Sequence, residues 1–243
     1  MNFLKKIIKN ILKKNNLRLE KIVIPREYNL TSPSKDLVSS MTECKGILHV
    51  GAHRGSEAPI YEWFGKKAIW IEANPKIFLA LKDNLIKYKF QNAYCELMLN
   101  EIGKEYEFHI SNNDGASSSI FNFGDLVVGE NKFWKNREFK MVNSIKIKSN
   151  TLDNFIKAND INIENYDHWI VDVQGSEFQF FQGASKSLNY CNSINVEISK
   201  GEIYEGGSKW SDVKNFLEKY KFYPEKEPNK AHMDIFFKKI KNK

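Results

Sequence analysis

Residues 46–75, GILHVGAHRGSEAPIYEWFGKKAIWIEANP, decide the fold. The apolar run 47–50 leads into a glycine loop at residues 51–55, and a second apolar run at 68–71 ends at Glu72. A strand, a glycine turn, a helix, a second strand and an acid in this order predict a nucleotide-binding βαβ unit. Glycines let the backbone approach a ligand closely, and a carboxylate at the end of the second strand can accept hydrogen bonds from both ribose hydroxyls.

Strand and helix patterns alternate along most of the remaining chain. Apolar or alternating runs predict strands at residues 92–99, 105–110, 144–149, 168–173 and 193–198, with a closing hairpin at 222–223 and 232–237. Helical spacing predicts helices from Pro75 to residue 86 and at residues 151–158, 177–188 and 208–220. We therefore predict an α/β fold, Rossmann-like, with a seven-stranded and mostly parallel sheet that ends in a C-terminal antiparallel hairpin. The 105–110 strand is expected to run beside the third strand.

The chain divides into two parts on composition. Residues 1–42 predict a basic amphipathic helix and a linker, and residues 43–243 predict the main domain. Residues 121–143 show no steady period and are interpreted as an insertion or a lid. Three cysteines far apart in the sequence, together with lysines that interrupt the first apolar positions, favour a cytoplasmic protein.

The net charge of +7 is concentrated at the N-terminus. Residues 1–21 hold seven basic residues and one acidic residue, so the rest of the chain is nearly neutral. A basic face on the main domain is not supported, and nucleic acid is not expected as a partner. Residues 2–14 place apolar side chains at helical spacing between lysines. Two interpretations stay open: packing on the domain or on a second subunit of a homo-oligomer, and contact with an anionic membrane surface.

Acidic residues follow several of the predicted strands, where an open parallel sheet binds its ligands. Asp172 and Glu177 flank a tight turn at Gly175, so both side chains can face one cleft. Asp172 is the first candidate for a general base, with His232 and Glu177 as alternatives. Glu177 also fits a purely structural role as a first-turn acid that complements the helix dipole. The spacing of His, Cys and Asp residues indicates no fixed metal, and no Walker lysine follows the glycine loop.

The glycine loop itself discriminates between cofactors. Its pattern is G-x-x-x-G, and Ala52 stands where the dinucleotide fingerprint has its second glycine. That glycine allows the backbone to approach a pyrophosphate. The pattern therefore favours a ligand without phosphates, such as S-adenosyl-L-methionine (SAM).

Several motifs carry a family resemblance. The segments HVGAHRGS, IEANP, TLDNF, VDVQGSEFQFFQGA, NVEIS and MDIFF resemble those of the FkbM family of SAM-dependent O-methyltransferases, in the right order and mainly over residues 45–200. The chain departs from the family at His49, because the family usually has an acid two residues before the first glycine.

The resemblance implies a set of cofactor contacts. They come from the glycine loop, the ends of the second and third strands, a serine loop and the acid after the fourth strand: Gly51, Ala52, His53, Gly55, Glu72, Ala73, Asn74, Met98, Leu99, Asn100, Ser117, Ser118 and Asp172. In this interpretation the glycine loop surrounds the methionine part, and the ends of the two strands hold the ribose and adenine. The serine loop and Asp172 border the methyl group and the acceptor.

These observations together predict methyl transfer from SAM to a hydroxyl of a small polar acceptor. A sugar or nucleotide-sugar of surface glycan biosynthesis is the favoured class, bound by residues 111–143 and 201–210. A lipid, polyketide-like or amine acceptor stays open. A non-catalytic scaffold protein with the SAM-binding fold also stays open, as does association with a membrane surface. Binding of NAD would instead indicate a dehydrogenase.

Overall fold

A computed structural model describes residues 40–89, 91–130 and 132–240. The strands, in chain order, are β1 (Gly46–Val50), β2 (Lys67–Glu72), β3 (Gln91–Cys95), β4 (Leu97–Met98), β5 (Glu105–Ser111), β6 (Met141–Asn150), β7 (His168–Val171), β8 (Ser193–Ser199), β9 (Phe222–Pro224) and β10 (His232–Lys239). The helices are α1 (Ala58–Trp63), α2 (Pro75–Leu85), α3 (Asp125–Val128), α4 (Leu152–Ala158), α5 (Glu177–Gly183) and α6 (Trp210–Lys219). The predicted helix at residues 2–14 lies outside the described residues.

A seven-stranded sheet with the order β3-β2-β1-β7-β8-β10-β9 forms the body of the structure. The first five strands of this order are parallel, and β10 runs antiparallel to both β8 and β9. The predicted seven-stranded sheet with its closing hairpin is therefore confirmed. The strand order reverses between β1 and β7, so the carboxyl ends of these two strands flank the crevice where such sheets bind ligands.

The core explains why the parallel strands read as continuous apolar runs. All five residues of β1 are buried, and so are residues 68–72 of β2. Strands that are covered on both faces need apolar side chains at every position rather than at alternate ones. Trp169 of β7 packs with Phe180 of α5 at a ring distance of 6.2 Å. Both side chains are fully buried.

The predicted third strand was too long. β3 ends at Cys95, and Leu97 and Met98 form β4 of a second sheet with the order β4-β6-β5. β5 pairs with β6 and not with the third strand, which corrects the second part of that prediction. The apolar residues Leu97 and Leu99 misled the prediction because they pack in the core of the small sheet, against Phe108.

Two helix starts show how local sequence sets the boundaries. Asn74 caps α2, since its side-chain oxygen accepts a hydrogen bond from Lys76 N at 3.1 Å. Thr151 caps α4 by accepting from Asn154 N at 3.2 Å, as the sequence predicted. Ser176 precedes α5 without capping it, because its hydroxyl donates to the carbonyl of Val173.

Apolar and aromatic side chains of residues 121–127, together with Trp134, Phe139 and Met141, pack on the loop that follows β8. Phe123 and Val127 form a small cluster with Ile203 and Tyr204, and Gly124 N donates to Ile203 O at 2.8 Å. In the part of the chain that the structure describes, no helix combines the length and the apolarity that crossing a bilayer requires.

Gly183 offers a test of how tightly α5 packs on the second sheet. A Cβ at this buried position would overlap the carbonyl oxygen of Leu99. We expect Gly183→Ala to lower the free energy of unfolding by about 1–3 kcal/mol in urea denaturation, although alanine has the higher helix propensity. Lys186, exposed just after α5, provides the control, since Lys186→Ala should change it by less than about 0.5 kcal/mol. A Gly183→Ala protein as stable as the wild type would contradict this packing.

Candidate functional site

A cavity of about 230 Å³ lies at the carboxyl ends of β1, β2 and β7. Its lining residues come from the glycine loop, the strand ends, the serine loop and the turn after β7: Val50, Gly51, His53, Ile71, Glu72, Ala73, Glu96, Leu97, Met98, Phe108, Gly115, Ala116, Ser118, Ile120, Asp172, Val173, Gln174 and Ser176. We call it the first cavity. It lies at the reversal of strand order, where the βαβ pattern predicted a ligand.

The glycine loop is shaped by close backbone contacts. Gly51 has a φ of 81°, and a Cβ there would overlap the carbonyl oxygen of Asp172. The amides of Gly51 and Ala52 both donate to Ile71 O, at 2.9 and 3.0 Å. Ala52 is buried and does not line the first cavity, and Gly55 packs against Leu81 behind the loop. Of the four predicted loop contacts, the structure therefore brings only Gly51 and His53 to the cavity.

Glu72 holds together the two turns that border the cavity. Its Oε2 accepts from His53 N at 2.8 Å, and its Oε1 accepts from Asn74 N at 2.7 Å. Burial raises the pKa of this carboxyl, while the two backbone donors act in the opposite direction. Ala73 lines the cavity, whereas Asn74 is turned toward the start of α2. Each carboxylate oxygen keeps a second lone pair for a ligand hydroxyl.

The opposite wall of the cavity differs from the prediction. Met98 lines it together with Glu96 and Leu97. Leu99 is buried in the core of the small sheet, and Asn100 donates from its side chain to Gln182 Oε1 at 2.9 Å, so the structure places both outside the cavity. The shift follows from the early end of β3 at Cys95. Glu96 is therefore the polar residue directly after β3. It would have been selected from the sequence if the end of this strand had been predicted correctly.

The serine loop, residues 112–119 after β5, contacts the glycine loop. His53 Nε2 lies 3.1 Å from Asp114 O, and the Arg54 guanidinium pairs with the Asp114 carboxylate at 2.6 Å. Ser118 lines the cavity, and its hydroxyl accepts from Ser111 N at 3.1 Å. Ser117 lies outside the cavity lining, and its hydroxyl oxygen accepts from the Asn113 side chain. The structure thus brings one of the two predicted serines to the cavity.

An acidic cluster lies beside the first cavity. The Gln174 amide contacts Asp172 Oδ1 and donates to Glu197 Oε2 at 2.8 Å, so one amide joins the two carboxyls. Glu197 Oε1 lies 2.9 Å from His232 Nε2. The other ring nitrogen of His232 lies 2.9 Å from Ser199 Oγ. We call Asp172, Gln174, Glu197 and His232 the acidic cluster.

Several titratable groups in and around the acidic cluster have shifted pKa values. Burial, together with the neighbouring Glu197, raises the pKa of Asp172 well above its usual range. Burial raises the pKa of Glu197 to about 8 and that of Glu177 to about 7. The pKa of His232 is lowered, because burial outweighs the attraction of the nearby carboxylates. Carboxyls in this environment hold protons at neutral pH.

The three predicted catalytic residues occupy different places. Asp172 is the one that lines the first cavity. His232 does not line this cavity. Its ring contacts Glu197, which shares the Gln174 amide with Asp172. Glu177 is buried, accepts from Gly175 N at 3.0 Å and faces a neighbouring cavity. The sequence shows only the positions of these three residues along the chain, which do not indicate which of them lines the cavity.

His49, which stands where an acid was expected, belongs to the core. Its ring stacks on Trp70 at 5.0 Å, and its Nδ1 lies 3.1 Å from the Tyr61 hydroxyl. Burial lowers the pKa of His49, which favours the neutral ring. It does not line the first cavity.

Two members of the acidic cluster had weak signals in the sequence. Gln174 lies inside the VDVQGSE segment but carries no titratable group, so it was not singled out. Glu197 ends an apolar run, yet its contact with His232 depends on the antiparallel register of β8 and β10. Among residues 40–89, 91–130 and 132–240, no group of three or more His, Cys, Asp or Glu side chains is arranged to hold a metal ion.

Comparison with known proteins gives a family and one curated relative. The model of the methyltransferase FkbM domain matches residues 49–224. The 2-O-methyltransferase NoeI of Sinorhizobium fredii (strain NBRC 101917 / NGR234) is 24% identical over 162 residues. That alignment covers 66% of this chain and 65% of the relative, so the chain spans just under two thirds of the relative's length. The family resemblance drawn from the sequence motifs is confirmed.

Solved structures show more distant likeness. Magnesium protoporphyrin IX methyltransferase (ChlM) from Synechocystis PCC 6803 is 9% identical with a TM-score of 0.47, covering 99% of this chain and 85% of that one. A TehB-like SAM-dependent methyltransferase from Corynebacterium glutamicum ATCC 13032 Kitasato is 10% identical with a TM-score of 0.41, covering 98% and 96%. Scores of this size are too low to assign a ligand or a fold.

The acidic cluster predicts a pH-dependent stability. Folded Glu197 keeps its proton to about pH 8, whereas the ordinary value is 4.5. Between these two pH values the folded state binds more protons than the unfolded state. Rising pH should therefore lower the free energy of unfolding, by up to about 1.4 kcal/mol per pH unit for Glu197. Glu197→Gln should flatten that fall in urea denaturation between pH 6.5 and 8.5.

The window starts at pH 6.5 because the lowered pKa of His232 changes stability below it. The exposed control Glu202→Gln should retain the wild-type slope. If Glu197→Gln also kept that slope, the protonated state assigned to Glu197 would be wrong.

Proposed function

We propose that this chain, which belongs to the FkbM family of methyltransferases, transfers a methyl group from SAM to a hydroxyl of a small polar acceptor. Family membership gives the reaction class and the cofactor. Family membership does not give the acceptor, which we infer to be a sugar or nucleotide-sugar of surface glycan biosynthesis. The observation that supports transfer to a hydroxyl is the carboxyl of Asp172, which lines the first cavity and belongs to the acidic cluster.

The residues of the first cavity fit SAM. The missing Cβ at Gly51 leaves the backbone of β1 and the turn after β7 close together at the switch point. Glu72 and Glu96 offer carboxylate oxygens for ribose hydroxyls, and Ala73, Leu97 and Phe108 offer apolar surface for adenine. When bound there, SAM supplies an electrophilic methyl group on a positively charged sulfur. A carboxyl beside the cavity is easier to ionise next to that positive charge.

Asp172 is the residue we assign to proton removal. A hydroxyl becomes a better nucleophile when a base within hydrogen-bonding distance takes its proton. Its raised pKa makes the ionised Asp172 carboxylate a stronger base than an ordinary aspartate. Gln174 fixes the orientation of this carboxyl, and Glu197 with His232 provides further sites for a proton. The rest of the rate enhancement comes from positioning and from the exclusion of water.

Two considerations support a hydroxyl acceptor over the alternatives. The relative NoeI is by its name a 2-O-methyltransferase. A carboxyl base suits an oxygen nucleophile, which carries a proton that has to leave, whereas a neutral amine can attack without prior deprotonation. A non-catalytic scaffold would have no use for a buried acidic cluster, whose desolvation destabilises the fold.

Asp172→Ala should separate chemistry from cofactor binding. Because Asp172 acts on the acceptor proton, we expect turnover to fall by about 100-fold or more while the SAM dissociation constant changes by less than about threefold. Transfer of labelled methyl against a panel of nucleotide-sugars and glycans measures the first quantity, and calorimetry measures the second. Asn100→Ala is the matched control, since Asn100 lies outside the cavity, and should change neither. An Asp172→Ala protein with the wild-type rate would remove the proposed base.

Glu72→Gln should affect cofactor binding itself. The substitution keeps the shape, but two backbone donors then compete for one oxygen and the charge available to the ribose is lost. A charge-assisted hydrogen bond contributes roughly 1.5–3 kcal/mol, which corresponds to at least about tenfold weaker SAM binding in calorimetry. The exposed control Asp83→Asn should bind SAM as the wild type does. Absence of SAM and S-adenosylhomocysteine binding to the wild type would favour the scaffold.

A further inference from the structure

A second cavity of about 610 Å³ adjoins the first. The turn after β7 separates the two, because Gln174 and Ser176 line the first cavity while Gly175 and Glu177 line the second. Tyr204 lines the second cavity, and its hydroxyl contacts the Gln174 side chain. Gln174 and Tyr204 therefore form part of the partition between the cavities.

The lining of the second cavity combines many hydrogen-bonding groups with carbon surface. It consists of glycine backbone, hydroxyls, charged side chains and two aromatic rings: Gly175, Glu177, Ser199, Lys200, Gly201, Glu202, Tyr204, Gly206, Gly207, Ser208, Lys209, Trp210 and Ser211. None of these described residues is Leu, Ile, Val, Met or Phe. An apolar acceptor would leave many of these polar groups without hydrogen-bond partners.

We propose that the second cavity binds the pyranose ring of a carbohydrate acceptor, an inference that rests on the proposed function above. Sugar hydroxyls both donate and accept, as do the serines of this lining, while its lysines only donate and ionised glutamates only accept. The half-buried ring of Trp210 offers apolar surface to the carbon face of a sugar. A lipid or polyketide-like chain would use only the carbon surface of this lining and none of its hydrogen-bonding groups.

The walls of the second cavity are held in place by the catalytic turn itself. Ser208 donates from its backbone and from its hydroxyl to Gly175 O, at 2.7 and 2.8 Å. The same hydroxyl accepts from Phe178 N at 2.9 Å. Pre-formed walls of this kind reduce the entropy that is lost when a ligand binds.

The position of the cavity suits delivery of a hydroxyl to Asp172. Ser199 and Tyr204 line the second cavity and each contacts a member of the acidic cluster, His232 and Gln174 respectively. A hydroxyl that passes the Gln174 side chain reaches the carboxyl of Asp172 in the first cavity. Beside the backbone of the turn, the side chains of Gln174 and Tyr204 complete the partition, and side chains can change rotamer.

Ser211→Trp tests the location. Ser211 is exposed, lines the second cavity and has one weak side-chain contact, at 3.5 Å to Asp212, so a tryptophan there can fill the opening without disturbing the core. Calorimetry with S-adenosylhomocysteine present uses two sets of probes: UDP-, GDP- and dTDP-linked hexoses, and neutral tetrasaccharides of glucose, mannose and N-acetylglucosamine. We expect the wild type to bind at least one probe and Ser211→Trp to bind it at least tenfold more weakly.

The set that binds identifies the source of the ring, nucleotide-sugar or glycan chain. Asn215→Trp, exposed one turn further along α6 and outside the lining, should bind the probe normally. Both variants should bind S-adenosylhomocysteine as the wild type does. Lys209→Trp, also exposed and in the lining, replaces Ser211→Trp if that protein misfolds.

Two results overturn the inference and differ in what else they affect. Unchanged probe binding in the blocking variant would show that the acceptor lies elsewhere, while the proposed function stands. Failure of the wild type to bind any probe, with S-adenosylhomocysteine binding intact, would exclude the carbohydrate class for the cavity and for the proposed acceptor together.

Discussion

The backbone at Gly51 lies so close to the carbonyl of Asp172 that no side chain fits between them. Asp172 N donates to Val50 O at 2.9 Å, so the pairing of β1 and β7 continues to the point where both strands end. A larger residue at position 51 would separate these ends and widen the crevice. The glycine loop, the first cavity and the aspartate at its edge therefore depend on one contact that glycine alone allows.

Two buried acidic sites beside this contact are stabilised in different ways. Glu72 keeps each oxygen on a backbone amide, and such donors favour the ionised form. The acidic cluster places Asp172 and Glu197 around one Gln174 amide, with His232 kept neutral by burial. Its carboxyls reduce their repulsion by retaining protons. The first arrangement suits a group that holds a ligand, and the second suits a group that exchanges a proton.

The sequence was most informative where function and local geometry coincide. The glycine loop, Glu72 and Asp172 are readable because a ligand site at a strand end needs those residue types at that spacing. The end of β3 was not readable, since Leu97 and Leu99 continue an apolar run that belongs to another sheet. Hence Leu99 and Asn100 were predicted in place of Glu96. Local patterns carry no information on which sheet a short strand joins.

Contacts across distant strands were equally hidden. The pairing of β10 with β8 sets Ser199 opposite His232 and Glu197 opposite Asp234, and so brings His232 to the acidic cluster. Ser199 and Asp234 look ordinary in their own segments, and the sequence around His232 does not show that it contacts Glu197. Predicted spacing did place Asp172 and Glu177 on one turn, but the turn faces two cavities, and the side on which each carboxyl lies follows from φ near Gly175.

The same turn limits where acceptor preference can vary. Gly175 has a φ of 99°, and a Cβ there would collide with the Tyr204 ring, so this position accepts only glycine without rearrangement. The turn also carries Asp172 and Gln174, whose geometry the chemistry needs. By contrast, residues 199–211 supply most of the second cavity and include exposed side chains such as Lys209 and Ser211. A different acceptor is therefore compatible with an unchanged turn if the substitutions lie in that loop, which would separate the choice of acceptor from the proposed chemistry.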